Sequence, residues 1–361
     1  MKTMRRRLTL ILALLIGAGL SPPSHGAGDG NGRILIGDGD SVASIRPDGS
    51  GFRILVENND EPIDARWSPD KAKFAYTQIG QEHNNRDLYM RRADGADPAL
   101  LATNTGYGFS WSPDSRFVAY TGPGDVLSGT CYGIWVVNVK SLAQRHVADG
   151  PDCDADDPRW SSRGEIAFVD GADNGAVDLN LDIYKVDVIT GEVTQLTYAP
   201  GVDRSPVWSP DGTSIVFESS RDHGSSRFGG HCFRRTEIYK MGSDGSRQRR
   251  LTGKLRNADC NATWSPDGRW IMWGTSLKRK RGEDQRPAEL HVMRADGTNG
   301  IRLMNGRQLV SYTGDFSPDG RWIVFTAHRK ETAYGHLYKS RPDGTDRVRL
   351  KSRDGYGLAD W

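Results

Sequence analysis

One five-residue stretch, Trp208-Ser209-Pro210-Asp211-Gly212, constrains this chain more than any other feature, because it recurs. Trp67-Ser68-Pro69-Asp70, Trp111-Ser112-Pro113-Asp114, Trp264-Ser265-Pro266-Asp267-Gly268 and Phe316-Ser317-Pro318-Asp319-Gly320 repeat it, Trp160-Ser161-Ser162-Arg163-Gly164 is a decayed copy, and Trp361 stands where another would begin. An aromatic residue ends a strand, Pro presets φ for the second position of a β-turn, and Asp and Gly tolerate the tight geometry that follows. Recurrence every 44 to 56 residues means an array of similar units.

Each unit continues in the same way. A short β-branched and aromatic strand follows the turn, as in Ser214–Glu218 or Arg269–Gly274. A loop of variable length leads to a strand with a central aromatic or His: Asp87-Leu88-Tyr89, Gly133-Ile134-Trp135, Asp182-Ile183-Tyr184, Glu237-Ile238-Tyr239, Glu289-Leu290-His291, His336-Leu337-Tyr338. Asp-Gly turns such as Asp244-Gly245 and Asp296-Gly297 are hairpin signals, and a fourth strand closes most units. Four short antiparallel strands at this period predict the blades of an all-β propeller.

Six units begin at residues 67, 111, 160, 208, 264 and 316. A seventh is shared by the two ends of the chain. Arg33–Gly37, Ser41–Arg46 and Phe52–Val56 supply strands two to four, and Gly357–Trp361 supplies strand one. The expected ring therefore has seven blades, sealed by strands from both ends of the chain, with only short outer edges left. Six blades is the alternative, if the N-terminal strands cap the ring.

The Trp-Ser-Pro-Asp-Gly turn, the Asp/Glu-Ile-Tyr strand, the Asp-Gly turn and a final strand ending in Leu-Thr resemble the PD40 (WD40-like) repeat of TolB-type propellers. The resemblance covers nearly all of residues 27–361. It implies the fold and, among relatives, envelope proteins whose propeller follows an α/β domain, or hydrolases whose propeller gates a catalytic domain. No such extra domain is expected here, so a stand-alone propeller is the reading.

Residues 1–26 differ from the rest. Lys2, Arg5, Arg6 and Arg7 precede an apolar run from Leu8 to Leu20, and small residues follow near Gly26 and Ala27. That is the layout of a secretory signal peptide. The mature chain is expected to be exported, periplasmic or secreted, and not transmembrane. Of the 48 Lys and Arg, four lie in this segment, which carries no acid. The remainder, 44 bases against 46 acids, is near neutral, so bulk charge gives no reason to expect nucleic acid.

Loops joining strands two and three, and those leading to the next blade, emerge on one face of a propeller, which here carries nearly all the length variation. Binding usually resides on such loops. Candidate binding residues on that face are His83, Arg86, Arg221, His223, His231, Arg234 and His328, with Asp64, Asp157, Asp203 and Asp259 just before the motif aromatics at the channel mouth. Cys131 and Cys232 fall in strand two-to-three loops, and Cys153 and Cys260 in segments leading to the next blade. Disulfides Cys131–Cys153 and Cys232–Cys260 are the expectation for an exported chain, with a metal or redox site as the alternative.

No nucleophile elbow, His-Glu-x-x-His or phosphate loop is present. The leading expectation is a non-catalytic module that binds a protein partner in the envelope or outside the cell and needs no cofactor. The alternative is a metal-assisted lyase or hydrolase for an acidic polysaccharide, with a divalent metal held by loop His and Asp side chains.

Overall fold

The computed structural model describes residues 32–37, 41–57, 64–79, 86–106, 108–124, 131–171, 180–222, 235–253, 258–277, 288–303, 308–329, 335–350 and 358–361. The expected signal peptide lies outside them. The described residues form seven four-stranded antiparallel sheets. Leu358–Asp360, Ile34–Gly37, Val42–Ile45 and Arg53–Val56 make blade 1. Blades 2 to 7 begin with Asp64–Trp67, Phe109–Trp111, Asp156–Trp160, Asp203–Trp208, Ala258–Trp264 and Gln308–Phe316, each followed by its three further strands in chain order. Blade 1 pairs Leu35 with Asp360 and Ile36 with Ala359, so both ends of the repeat array share one sheet and seven blades, not six, are formed.

The repeated turn owes its shape to two side chains. In each full copy the Ser hydroxyl donates to the Asp carboxylate at 2.6 Å and accepts the N–H of the residue five positions on, as Ser209 does with Asp211 and Ser214. Gly212, Gly268 and Gly320 follow with φ of 67°, 69° and 66°; the copies without Gly put Lys71 and Ser115 in the same left-handed conformation. The motif tryptophans then tie neighbouring blades together. Trp111, Trp208 and Trp264 donate their indole N–H groups to the carbonyls of Arg66, Arg159 and Val207 in the first strand of the preceding blade.

Apolar side chains pack between blades, not in one central mass. Leu35, Val42 and Val56 of blade 1 meet Trp67, Phe74 and Tyr76 of blade 2, and Val324, Leu337 and Leu350 of blade 7 meet Ile34, Ile36 and Trp361. Complete burial of each such aliphatic side chain contributes about 1.5–3 kcal/mol. Because every blade has two covered faces, both alternating side-chain sets of its middle strands are apolar.

Candidate functional site: the channel wall and its mouth

The first strand of each blade is innermost, and first strands of adjacent blades approach closely enough to share hydrogen bonds. Ser110 Oγ accepts the Trp160 N–H at 3.0 Å, and Asp315 Oδ2 accepts the Trp361 N–H at 2.9 Å. Residues two apart on a regular strand share a face, which sets Asp64 beside Arg66 along this wall. Asp64 pairs with Arg66 at 3.0 Å and Asp157 with Arg159 at 2.7 Å.

In blades 4, 5 and 6 the first strand is bulged. Its ladder slips between Asp156 and Arg159, between Arg204 and Val207, and between Cys260 and Thr263. Asp157, Ser205 and Asn261, each three residues before the motif Trp, take φ of 50°, 51° and 54° there. A left-handed non-glycine residue costs of order 1–3 kcal/mol, and the bulge re-aims neighbouring side chains. The bulge places Arg204 against Glu218 of the second strand, with Nε 3.3 Å from Oε2, while Glu218 Oε1 accepts the Asn261 N–H at 2.8 Å.

Burial dominates the titration of this wall. Asp157 is pushed up to about 6 by desolvation, with the charges of Glu218 and Asp64 adding to it and Arg66 and Arg204 opposing it. Fully buried Glu218 is raised for the same reason, against the pull of Arg204. Asp315 rises to about 7 through burial and then through the charge of Asp360, with Lys71 partly compensating.

The four expected acids fall in three separate settings. Asp64 and Asp157 belong to the wall network with Arg66 and Arg204. Asp203 is buried between blades 4 and 5, where it accepts the Ser219 hydroxyl and the Arg221 guanidinium, both at 2.5 Å. Asp259 lines a cleft between blades 5 and 6 and accepts the Thr275 hydroxyl at 2.6 Å. Arg221 is folded back against Phe217 and Tyr239, its guanidinium carbon 5.3 and 4.8 Å from their ring centres. Arg86 opens the third strand of blade 2, paired with Ile79. The backbone of His328 pairs with Leu309 and Gly335 in blade 7. His83, His223, His231, Arg234 and Cys232 lie outside the described residues.

Cys131 and Cys153 form a disulfide within blade 3 and the segment leaving it. Cys260 is also disulfide-bonded, and its expected bond to Cys232 involves a residue outside those described. Beside the first bridge, Asp170 accepts the N–H groups of Asp152 and Asp154, at 2.8 and 2.9 Å, and so holds the cysteine loop. Among the described residues no group of three or more His, Cys, Asp or Glu side chains is arranged to hold a metal ion.

Arg66, Arg159, Arg204, Glu218, Asp315 and Asp360 also belong to this site and are not among the residues singled out from the sequence. The Asp-x-Arg spacing of Asp64 and Arg66, on a regularly paired strand, was a usable signal for the first of them.

Known proteins place this architecture. The chain is 28% identical over 206 residues to the uncharacterized peptidase YuxL of Bacillus subtilis, covering 49% of this chain and 30% of that one. It is 27% identical over 171 residues to the uncharacterized protein Atu1656 of Agrobacterium fabrum, covering 47% and 53%. The chain thus spans about half or less of the length of these curated relatives. Among solved structures, a putative TolB from Agrobacterium tumefaciens superposes with a TM-score of 0.56 at 22% identity, over 80% of this chain and 94% of that one. An oligogalacturonate lyase in complex with manganese superposes with a TM-score of 0.59 at 15% identity, over 88% and 83%. Both likenesses show the fold alone. The profile of the TolB beta propeller domain, PD40, matches residues 77–276, more than half of the chain, and on that ground this protein belongs to the PD40 family of TolB β-propeller domains.

Proposed function

We propose that the chain is an exported propeller that binds a protein partner of the cell envelope or the extracellular space through its long-loop face and channel mouth, without catalysis of its own. The observation that carries this reading is the pairing of the mouth. Asp64 with Arg66, Asp157 with Arg159 and Glu218 with Arg204 are matched within 2.7–3.3 Å. A general acid–base or metal site uses convergent groups whose charge or lone pairs remain available to substrate. Pre-paired charges on rigid strands instead offer fixed donors and acceptors at little ordering cost, which suits recognition. The matched relatives include a peptidase and a Tol-Pal system protein TolB, from Francisella tularensis, so the family's fold accompanies more than one activity. The N-terminal basic and apolar segment supports export.

Cross-linking of the mature chain in envelope extract, followed by mass spectrometry, tests the reading. Capture that is lost on Arg66→Glu or Arg204→Glu, and kept on Thr298→Ala at a turn of the opposite face, supports it. Capture indifferent to the mouth overturns it. So does purified protein that carries stoichiometric metal and depolymerises an acidic polysaccharide.

A further inference from the structure

Blades 4 and 5 enclose a slot that the chain fills itself. Arg221 lies in it, with Nη2 on Asp203 Oδ2 at 2.5 Å, Nη1 on Gln248 Oε1 at 2.6 Å and Nε on Ser219 Oγ at 2.8 Å. Phe217 and Tyr239 flank the guanidinium. Gln248 in turn donates its amide to the carbonyls of Leu196 and Gly245, at 2.8 and 3.0 Å.

One repeat later the same framework stands between blades 5 and 6. Strand register sets Asp259 opposite Thr275 as Asp203 is set opposite Ser219, and Trp273 opposite His291 as Phe217 is set opposite Tyr239. Asp259 accepts from Thr275 at 2.6 Å, as Asp203 accepts from Ser219 at 2.5 Å. Two positions change in kind. Leu277 stands in place of Arg221, two residues past the paired hydroxyl residue, and Gly300 stands in place of Gln248, two before the Arg paired with the strand-three aromatic or His. Both residues of the plug are gone.

What remains is a cleft of about 410 Å³, lined by Asp259, Thr275, Trp273, His291 and Gly300, with Leu251 and Gly297 as the counterparts of Leu196 and Gly245. A Cβ on Gly300 would meet nothing nearer than Trp273 Cη2, at 4.0 Å, so the volume of the missing Gln248 side chain is open. Trp273 is 7% exposed, and its indole N–H has no acceptor among the described residues. Its ring stacks on His291 with centroids 5.0 Å apart. The remaining acids at the rim, Glu237 and Glu289, are bridged to Arg250 and Arg302 at 3.1 and 3.0 Å. Among the described residues, Asp259 has the hydroxyls of Thr275 and Thr252 and the His291 ring as neighbours, but no arginine or lysine in the place of Arg221.

We infer that the cleft between blades 5 and 6 is a guanidinium site: it takes an arginine side chain seated as Arg221 is seated one repeat earlier, with N–H groups on the Asp259 carboxylate and Thr275 hydroxyl and its plane beside Trp273 and His291. A planar fork of donors fits this carboxylate–hydroxyl pair better than a point-like ammonium does. A guanidinium accepts no hydrogen bond, so the orphan Trp273 N–H calls for a carbonyl on the same ligand, which an arginine within a peptide supplies and a simple guanidine does not.

The test is a titration of the mature chain, ¹⁵N-labelled at tryptophan, with acetyl-arginine amide, agmatine and acetyl-citrulline amide. One indole N–H signal, identified as that of Trp273 by its loss in Trp273→Phe, moves saturably with acetyl-arginine amide. Agmatine acts more weakly, because it lacks the carbonyl, and the uncharged citrulline derivative has no effect. Asp259→Asn weakens binding about tenfold or more. Leu277→Arg with Gly300→Gln rebuilds the plug and abolishes the shift, and Gly300→Gln alone reduces it; the other indole signals report that each variant is folded. Agmatine binding as tightly as acetyl-arginine amide would assign the site to a free guanidine and overturn the peptide source. No saturable movement of the Trp273 signal, or equal movement in the plugged variant, overturns the proposal. It is also overturned if binding emerges only after Lys278-Arg279-Lys280-Arg281 is changed to serines, for then the chain fills this cleft from within too.

Discussion

The carboxylate of Asp360 accepts the backbone N–H of Trp67 at 2.6 Å, joining residues 293 positions apart. Around it, Asp315 accepts the Trp361 N–H at 2.9 Å and Lys71 Nζ donates to the Trp361 carbonyl at 2.6 Å. Side chain-to-backbone bonds therefore stitch the innermost strands of blades 7, 1 and 2 to one another where the ring is sealed.

Removing the acceptor should loosen that seal. Asp360→Ala leaves the Trp67 N–H without its bond and is expected to cost about 1–3 kcal/mol. The midpoint of urea unfolding, followed by tryptophan fluorescence, measures it against Asp94→Ala in an exposed hairpin turn. Equal midpoints for the two variants would count against the seal.

Asp315 gives the ring a pH dependence of defined sign. Its folded value, about 7, lies above the ordinary carboxylate range because of burial and the nearby Asp360 charge. The native state therefore holds a proton that the unfolded chain has already lost between pH of about 4 and 7. The stability this proton contributes is complete below that window and gone above it. Asp315→Asn keeps an acceptor for Trp361 and cannot ionise. Its stability relative to wild type should rise across the window and level off above pH 7.5; a flat difference from pH 4 to 8 would refute the assignment.

The Cys131–Cys153 bridge spans 22 residues. Restricting an unfolded loop of this length is worth about 3 kcal/mol. Cys131→Ser with Cys153→Ser isolates this bridge, as a general reductant would not, since Cys260 is bonded too. Equilibrium unfolding of the double variant should show a loss of about that size.

Two turn glycines separate strain from contact. Gly245 has φ of 80°, and a Cβ there would lie 2.7 Å from the Leu196 carbonyl oxygen of the preceding blade. Gly268 has φ of 69°, but its Cβ would meet only Pro210 Cδ at 3.8 Å. Gly268→Ala should cost about 1 kcal/mol from conformation alone, and Gly245→Ala clearly more, because a blade contact must also shift. Thermal unfolding of both variants checks the order.

Much of this molecule was legible in its sequence. Trp208, Ser209, Pro210 and Asp211 specify a turn by local chemistry, so their repetition revealed the blades, and the Leu35–Asp360 pairing was visible as one missing strand at one end and one extra strand at the other. Asp64, Asp157, Asp203 and Asp259 could be placed before the motif aromatics, but not grouped, because the bulges at Asp157, Ser205 and Asn261 redirect side chains in a way no spacing records. Glu218 sits in a strand whose composition reads as core. Leu277 and Gly300 are unremarkable residues taken singly; they matter only when set against Arg221 and Gln248 through strand register, which is a property of the folded sheet.

Pairing Leu35 with Asp360 also has a kinetic consequence. It is among the longest-range contacts the chain makes, and such contacts carry a large loop-closure entropy, so they form late. Until then blade 1 holds only three strands, and the Ile34–Gly37 edge is an unpaired, apolar template able to capture a strand from another molecule. Refolding yield should therefore fall with protein concentration, and the intermediate that accumulates should be an open horseshoe awaiting its clasp.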